Sequence, residues 1–358
     1  MRISELCADA RRVAIYGLAK NTGKTVALTV LVDELSARGC AIGITSIGRD
    51  GEACDVLDET ILKPRIHLPA GALVATTRSL LKRSGLRHDE LVATPYRNPL
   101  GTVTIARMAE AGVVEVAGPS VVAQMKAVIE RMLALGAEKV IVDGSINRRC
   151  ASSPDVTDAV IVATGAILGE DLDAVVRYTV EEIRRLRLPV TPADGVGHGS
   201  SDHLVTVAGK RIALPPGFGL TDRTDALKQW RAEHGPFARI LLRGAVCEAF
   251  LDSVLRACED DADVRVVATD SSKFYFNRNG VGWYEKRGLH LCVLRDTRLC
   301  AITVNPVAPQ LRSFDSGAFV ARLAAAVPPV AVHDVLHASY PRVAASGHRP
   351  APAFAQDR

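Results

Sequence analysis

Gly23-Lys24-Thr25 is the most chemically pointed triplet in the chain. It closes the stretch Gly17-Leu18-Ala19-Lys20-Asn21-Thr22-Gly23-Lys24-Thr25, in which small and polar residues separate two glycines. Backbone N–H groups between Lys20 and Thr25 can turn inward as a nest, and a helix opening after Gly23 adds unpaired donors and the positive end of its dipole. Such a loop suits phosphate. Lys24 would reach the β and γ phosphates of a nucleoside triphosphate, and the Thr25 hydroxyl would take one position on Mg2+. Lys20, Asn21, Thr22, Gly23, Lys24 and Thr25 are therefore the predicted nucleotide-binding residues. The usual spacing, G-x-x-x-x-G-K-[ST], puts a glycine where this chain has Leu18; Gly17 lies one residue further out. A glycine turn that joins a strand to a helix and holds no ligand would use the same letters.

Two acidic stretches could complete the chemistry. Lys139-Val140-Ile141-Val142-Asp143-Gly144 reads as a buried parallel strand with an acid at its carboxyl tip. Asp143 would accept a hydrogen bond from Thr25 or from water on Mg2+; otherwise it caps the following turn. Ser46-Ile47-Gly48-Arg49-Asp50-Gly51-Glu52 follows the next strand after the glycine loop. There Asp50 and Glu52 would position the attacking water, with Asp50 also holding Mg2+ or its water shell. A solvated glycine-rich turn explains the same residues. His198 and His203 near Asp194 and Asp202 invite a metal reading, but their spacing matches no common zinc signature and a polar linker accounts for them better.

These residues need elements to hold them. Residues 13–16 form a short apolar strand, and Ala27, Leu28, Leu31, Val32 and Leu35 then recur with helical period. Further strands are expected at 41–45, 72–75, 139–143 and 159–164, with helices at 1–12, from Gly118-Pro119-Ser120 onward, and at 171–188. Strand, loop and helix alternate with period changes at glycines, which predicts an α/β protein with a doubly wound, mostly parallel sheet and a second α/β half. The expected division is 1–190 for nucleotide binding, 191–337 as a second α/β region that either stands alone or continues the first sheet, and 338–358 as a flexible tail.

The composition of the 358 residues, 48% hydrophobic with 28 glycines and 18 prolines, fits a globular α/β chain with many tight connections. The net charge is only +4, aromatic residues make up 4%, and no basic block is interleaved with aromatics, so nucleic acid is not an implied partner. No apolar run is long enough for a membrane span and no signal-peptide core opens the chain, so a cytoplasmic location without membrane contact is expected. The eight cysteines are scattered and read as reduced thiols.

The spacing G-x5-G-K-T resembles dethiobiotin synthetase and its relatives among ATP-dependent enzymes and metallochaperone-type NTPases. More blocks resemble one family: the glycine loop, Thr45 to Glu52, Lys63-Pro64-Arg65, Ala117-Gly118-Pro119, Val142-Asp143-Gly144, Ala163-Thr164-Gly165-Ala166 and Ala301-Ile302-Thr303-Val304-Asn305-Pro306. They look like the small ATP-binding reactivase subunit of lysine 5,6-aminomutase, over about residues 10 to 335. The resemblance implies a P-loop NTPase fold, ATP and Mg2+ as ligands, and as partner an adenosylcobalamin-dependent aminomutase that the ATPase opens so that damaged cobalamin can exchange. It also implies a second, larger reactivase subunit. Asn305 resembles the adenine-reading Asn of the synthetase, though an Asn-Pro turn cap explains it equally. No N-K-x-D motif is present, which favours ATP over GTP. Two rival readings keep the fold: an ATP-dependent ligase or kinase for a small carboxylate or amino-acid-like substrate, and a nucleotide-gated scaffold that is not an enzyme.

Overall fold

The computed structural model describes residues 1–47, 65–144, 149–191, 202–258, 263–308, 313–337 and 340. Arg49, Asp50, Glu52, Lys63, Asp194 and His198 lie outside them. The chain begins with α1 (Ile3–Leu6), β1 (Arg12–Gly17), α2 (Lys24–Ala37), β2 (Ile42–Ser46), β3 (Arg65–Leu68), β4 (Leu73–Thr77) and α3 (Arg78–Ser84). It continues through β5 (His88–Asn98), β6 (Gly101–Met108), β7 (Gly112–Glu115), α4 (Val122–Ala134), β8 (Lys139–Gly144), β9 (Ala159–Gly165) and α5 (Leu172–Leu186).

A nine-stranded sheet holds most of these strands. Two more, β17 (Arg298–Asn305) and β18 (Ala331–His333), enter it from far along the chain, with α9 (Ser316–Ala326) between them. The order is β18-β17-β9-β1-β8-β2-β4-β6-β5, parallel from β18 to β4 and antiparallel through β6 and β5. Burial on both faces explains the unbroken apolar runs of the central strands. Val13 and Ile15 of β1 face a core shared with α2, whereas Ala14 and Tyr16 face one shared with α4, α5 and α9. Helices thus cover both faces, and the α/β class with a mostly parallel sheet is as expected.

A second, five-stranded sheet is inserted between α5 and β17. Its strands are β10 (His203–Thr206), β11 (Arg211–Ala213), β12 (Phe237–Leu242), β14 (Val264–Ala268) and β16 (Leu289–Val293); α6 (Thr224–His234), α7 (Glu248–Ala257) and α8 (Val281–Glu285) accompany them, and β13 (Val246–Cys247) and β15 (Phe274–Tyr275) pair with each other in a separate two-stranded sheet. The order β11-β10-β12-β14-β16 is antiparallel at β11 and β10 and parallel beyond, over a core that includes Phe218, Phe237, Phe250, Phe274 and Tyr284. Residues 191–337, read from sequence as one region, therefore divide between the two sheets.

The two halves meet just past β8. Arg185 of α5, 1% exposed, donates through Nη1 to Ser271 O at 2.9 Å and through Nε to Glu182 at 3.2 Å. Asp270, also 1% exposed, accepts from Ser153 Oγ at 3.2 Å, and Thr297 Oγ1 donates to Ser152 O at 2.6 Å. Arg295 pairs with Asp155 at 2.9 Å and, by hydrogen bonding, holds that carboxyl below its usual range.

Several elements depart from the sequence expectations. The leading helix shrinks to the four residues of α1, and Pro119 precedes α4 rather than occupying its first turn. The long strand β5 appears where the sequence pattern announces no strand. Tyr340 belongs to the expected flexible tail, yet it is 6% exposed, donates to Glu34 at 2.8 Å and accepts from Ile3 N–H at 2.8 Å. Among the described residues, no helix is long and apolar enough to cross a membrane.

Candidate functional site

Five neighbouring strands end side by side, and the candidate residues stand at their tips. Across the sheet the register aligns Asn305 with Gly165, Ala163 with Gly17, Tyr16 with Gly144, and Asp143 with Ser46. All five strands are parallel, so their carboxyl ends open on one edge, the edge where α/β proteins bind ligands.

The glycine loop bridges β1 and α2. Leu18 N–H extends the ladder to Ala163 O at 3.0 Å, and Thr22 Oγ1 closes a turn onto Ala19 O at 3.0 Å. Asn21 and Gly23 take positive φ of 64° and 82°, so the backbone alternates hand as a nest requires. The first intrahelical bond of α2 runs from Ala27 N–H to Gly23 O at 3.0 Å, leaving the Lys24, Thr25 and Val26 N–H groups without an acceptor inside the helix. No acid occupies the first turn of α2. Lys20 and Asn21 are exposed and Thr22 is buried beneath the loop.

Lys24 does not point into open solvent. Its Nζ lies 2.6 Å from Asp143 Oδ1, with the two side chains 18% and 8% exposed. The strand register explains this: β8 pairs with β1 and carries Asp143 to the loop's flank. A charge-assisted hydrogen bond this short is strong, and the partial burial of both groups keeps solvent from screening it. Asn305 ties the loop from the other side, donating from Nδ2 to Asn21 O at 2.8 Å and accepting from Val307 N–H at 3.1 Å. It is at once a turn cap and a brace for the loop. A Cβ on Gly165 would lie 2.9 Å from Asn305 O and 3.3 Å from Thr22 Cα, so the loop rests directly on the end of β9.

A ledge that the sequence reading missed flanks Asp143. Ser46 Oγ donates to Val116 O at 2.9 Å and accepts from Gly118 N–H at 3.3 Å, while Asn98 Nδ2 donates to Ala117 O and Gly118 O, each at 3.0 Å. The only signal for Asn98 was its place in the turn sequence Asn98-Pro99-Leu100-Gly101.

The structure therefore brings Lys20, Asn21, Thr22, Gly23, Lys24, Thr25, Asp143 and Asn305 to one sheet edge. Asp50 and Glu52 lie outside the described residues. No group of three or more His, Cys, Asp or Glu suited to a metal ion occurs among the described residues, and His203 is a buried residue of β10. Magnesium commonly takes only one or two protein ligands beside phosphate oxygens and water, so the Thr25 hydroxyl and the Asp143 carboxylate are a donor set that fits it. Comparison with protein-family models, with curated proteins and with solved structures finds no match to this chain.

Proposed function

We propose that this chain is a P-loop NTPase that binds ATP with Mg2+ at residues 17–25 and uses hydrolysis to act on a protein, as a reactivation factor for an adenosylcobalamin-dependent aminomutase. The observation that carries the nucleotide part is the Lys24–Asp143 pair beneath a helix N-terminus that has no acid of its own. In this reading Lys24 leaves Asp143 for the β and γ phosphates, and the loop amides and the α2 dipole receive their charge. Mg2+, when bound, would neutralise the charge developing between these phosphates. Thr25 and the carboxylate that Lys24 vacates would hold it, directly or through water. Asp50 and Glu52 keep their proposed role at the attacking water, with Asp50 reaching the metal shell.

The partner rests on the sequence resemblance. A physical route for coupling is compatible with it: nine and ten residues after Asp143, Ser152 and Ser153 bond to Thr297 and to Asp270 beside the second sheet. A change at the phosphates can therefore bias the seating of the second half. A second reading, a ligase or kinase for a small carboxylate, is favoured by the ledge of Ser46 and Gly118 beside Asp143, which could floor a substrate.

The test is ATP hydrolysis with Mg2+, first by the chain alone and then with an inactivated adenosylcobalamin-dependent aminomutase from the same organism. Hydrolysis that rises only with that enzyme, and mutase activity that returns on adding adenosylcobalamin, is the expected result. Nucleotide binding without such stimulation would overturn the reactivation role and promote the small-substrate reading.

A further inference from the structure

The aromatic stretch Phe274-Tyr275-Phe276-Asn277-Arg278 has no part in the nucleotide site, yet it is among the most carefully supported segments of the second half. Phe274 is buried and stacks on Phe276 with ring centroids 6.1 Å apart. The chain then turns over the start of α7, where Glu248, 4% exposed, accepts from three successive backbone N–H groups. These are Asn277 at 3.3 Å, Arg278 at 3.1 Å and Asn279 at 2.6 Å. One turn further along α7, Asp252 accepts from Arg278 Nη2 at 3.1 Å and from Tyr284 Oη at 2.9 Å. A buried carboxylate spent on holding a loop in place is the kind of support that a binding wall requires.

The wall borders a groove between α7 and α8 of about 660 Å3, lined by Asp252, Leu255, Arg256, Cys258, Arg278, Asn279, Trp283 and Arg287. That volume is in the range of small-molecule sites. Three guanidinium groups line it; Arg278 pairs with Asp252 at 3.1 Å and lies 3.7 Å from Glu248, Arg256 pairs with Asp222, and both oxygens of Asp252 are already engaged by Tyr284 and Arg278. Arg287 lies over the Trp283 ring at 3.7 Å and donates to Trp283 O at 3.1 Å; Arg256 bonds to Asp222 and to Thr224. Each guanidinium carries five donors, of which the protein uses one or two here. Planar donors of this kind suit carboxylate and phosphate oxygens.

We infer that the groove between α7 and α8 is a second ligand site, separate from the glycine loop, which takes a small multivalent anion bearing phosphate or carboxylate groups. Arg278 and Arg287 grip the anion from the two walls, with Asn279 contributing its amide and Arg256 the outer charge.

The test uses the full chain carrying Lys24→Ala, which weakens phosphate binding at the glycine loop, so that the arginine changes below report on the groove alone. Titration calorimetry with pyrophosphate and with citrate should show saturable binding of at least one. A preference for pyrophosphate assigns phosphate as the ligand group, and a preference for citrate assigns carboxylate. The further change of Arg278→Ala with Arg287→Ala should weaken binding at least about tenfold, the loss expected for charged hydrogen bonds. A measurement that needs no change in the groove is protection of Arg278 and Arg287 from phenylglyoxal by the bound anion, read by mass spectrometry. Absence of saturable binding by either anion, binding indifferent to the two arginine changes, or unprotected arginines would overturn the proposal.

Discussion

Lys24 cannot hold Asp143 and embrace a phosphate at full strength together, so each partner's removal has its own signature. Lys24→Ala should reduce MgATP affinity about 10- to 100-fold, about 1.4–2.7 kcal/mol, the range of hydrogen bonds to charged groups. Asp143→Asn should act in the opposite sense on free ATP. Without Mg2+ its affinity should rise, because Lys24 no longer leaves a carboxylate, while the gain from adding Mg2+ shrinks; equilibrium titration with and without the metal checks both. His333 supplies a pH prediction. Burial holds its imidazole below the ordinary histidine value of 6.5, and its Nε2 finds no hydrogen-bond partner. The unfolded chain therefore binds the proton first, so this contribution to stability is complete above 6.5 and is lost progressively as pH falls below it. Urea denaturation at pH 5.5 and 7.5 should show a smaller gap in a His333→Phe variant.

At the scale of elements, the parts of the site written in short periodic segments were legible. β1, α2, β2, β8 and β9 each announce themselves by an apolar run or a helical stripe, and the parallel arrangement then brings Lys24 and Asp143 together. β5 was not legible, since Pro95 interrupts it and the register with β6 shifts twice, between Glu90 and Val92 and between Ala93 and Arg97. Bulges of this kind destroy the two-residue alternation on which strand reading depends. The ledge was hidden for another reason: Gly118 meets Ser46 only after β2 and the chain from β7 to α4 have been packed. A Cβ at Gly118 would drive into the Ser46 carbonyl oxygen and the Thr45 hydroxyl. Gly118→Ala should therefore destabilise the protein by about 1–3 kcal/mol, the usual cost of overpacking, which denaturant melts can measure. α1 shows how a short element is kept. Lys139 Nζ, buried at the start of β8, donates to Cys7 O at 2.9 Å, to Ala8 O at 3.1 Å and to Ala10 O. Lys139→Met takes this donor from Ala8 O and Ala10 O, while Cys7 O keeps the Ala10 N–H at 3.1 Å, and should cost a few kcal/mol, roughly 1–3 for each group left dry.

On the scale of the whole molecule, the two halves share a polar joint rather than a continuous core. Arg185 is its buried centre, with Nη2 unbonded while Nη1 and Nε are engaged. Arg185→Ala should loosen the joint more than either half, so that thermal unfolding followed by calorimetry separates into two transitions; a single transition lowered as a unit would show that the halves remain one cooperative body. No sequence pattern discloses which sheet a later strand joins, because parallel neighbours are set by crossovers and not by adjacency. The sequence left residues 191–337 either standing alone or continuing the first sheet; β17 and β18 join that sheet, where β17 pairs with β9 and supplies Asn305 to the loop.

That return has a consequence for the order in which the protein is made. A ribosome adds about 5–20 residues per second, so the chain between β9 and β17 takes on the order of ten seconds to emerge. Throughout that interval β9 stands as an open edge, with its Asn305 brace not yet synthesised. The inserted sheet, whose strands and core are contiguous in the chain, can close first. The inserted sheet can thus be complete before the first, and the glycine loop acquires its Asn305 brace only after that whole sheet has emerged.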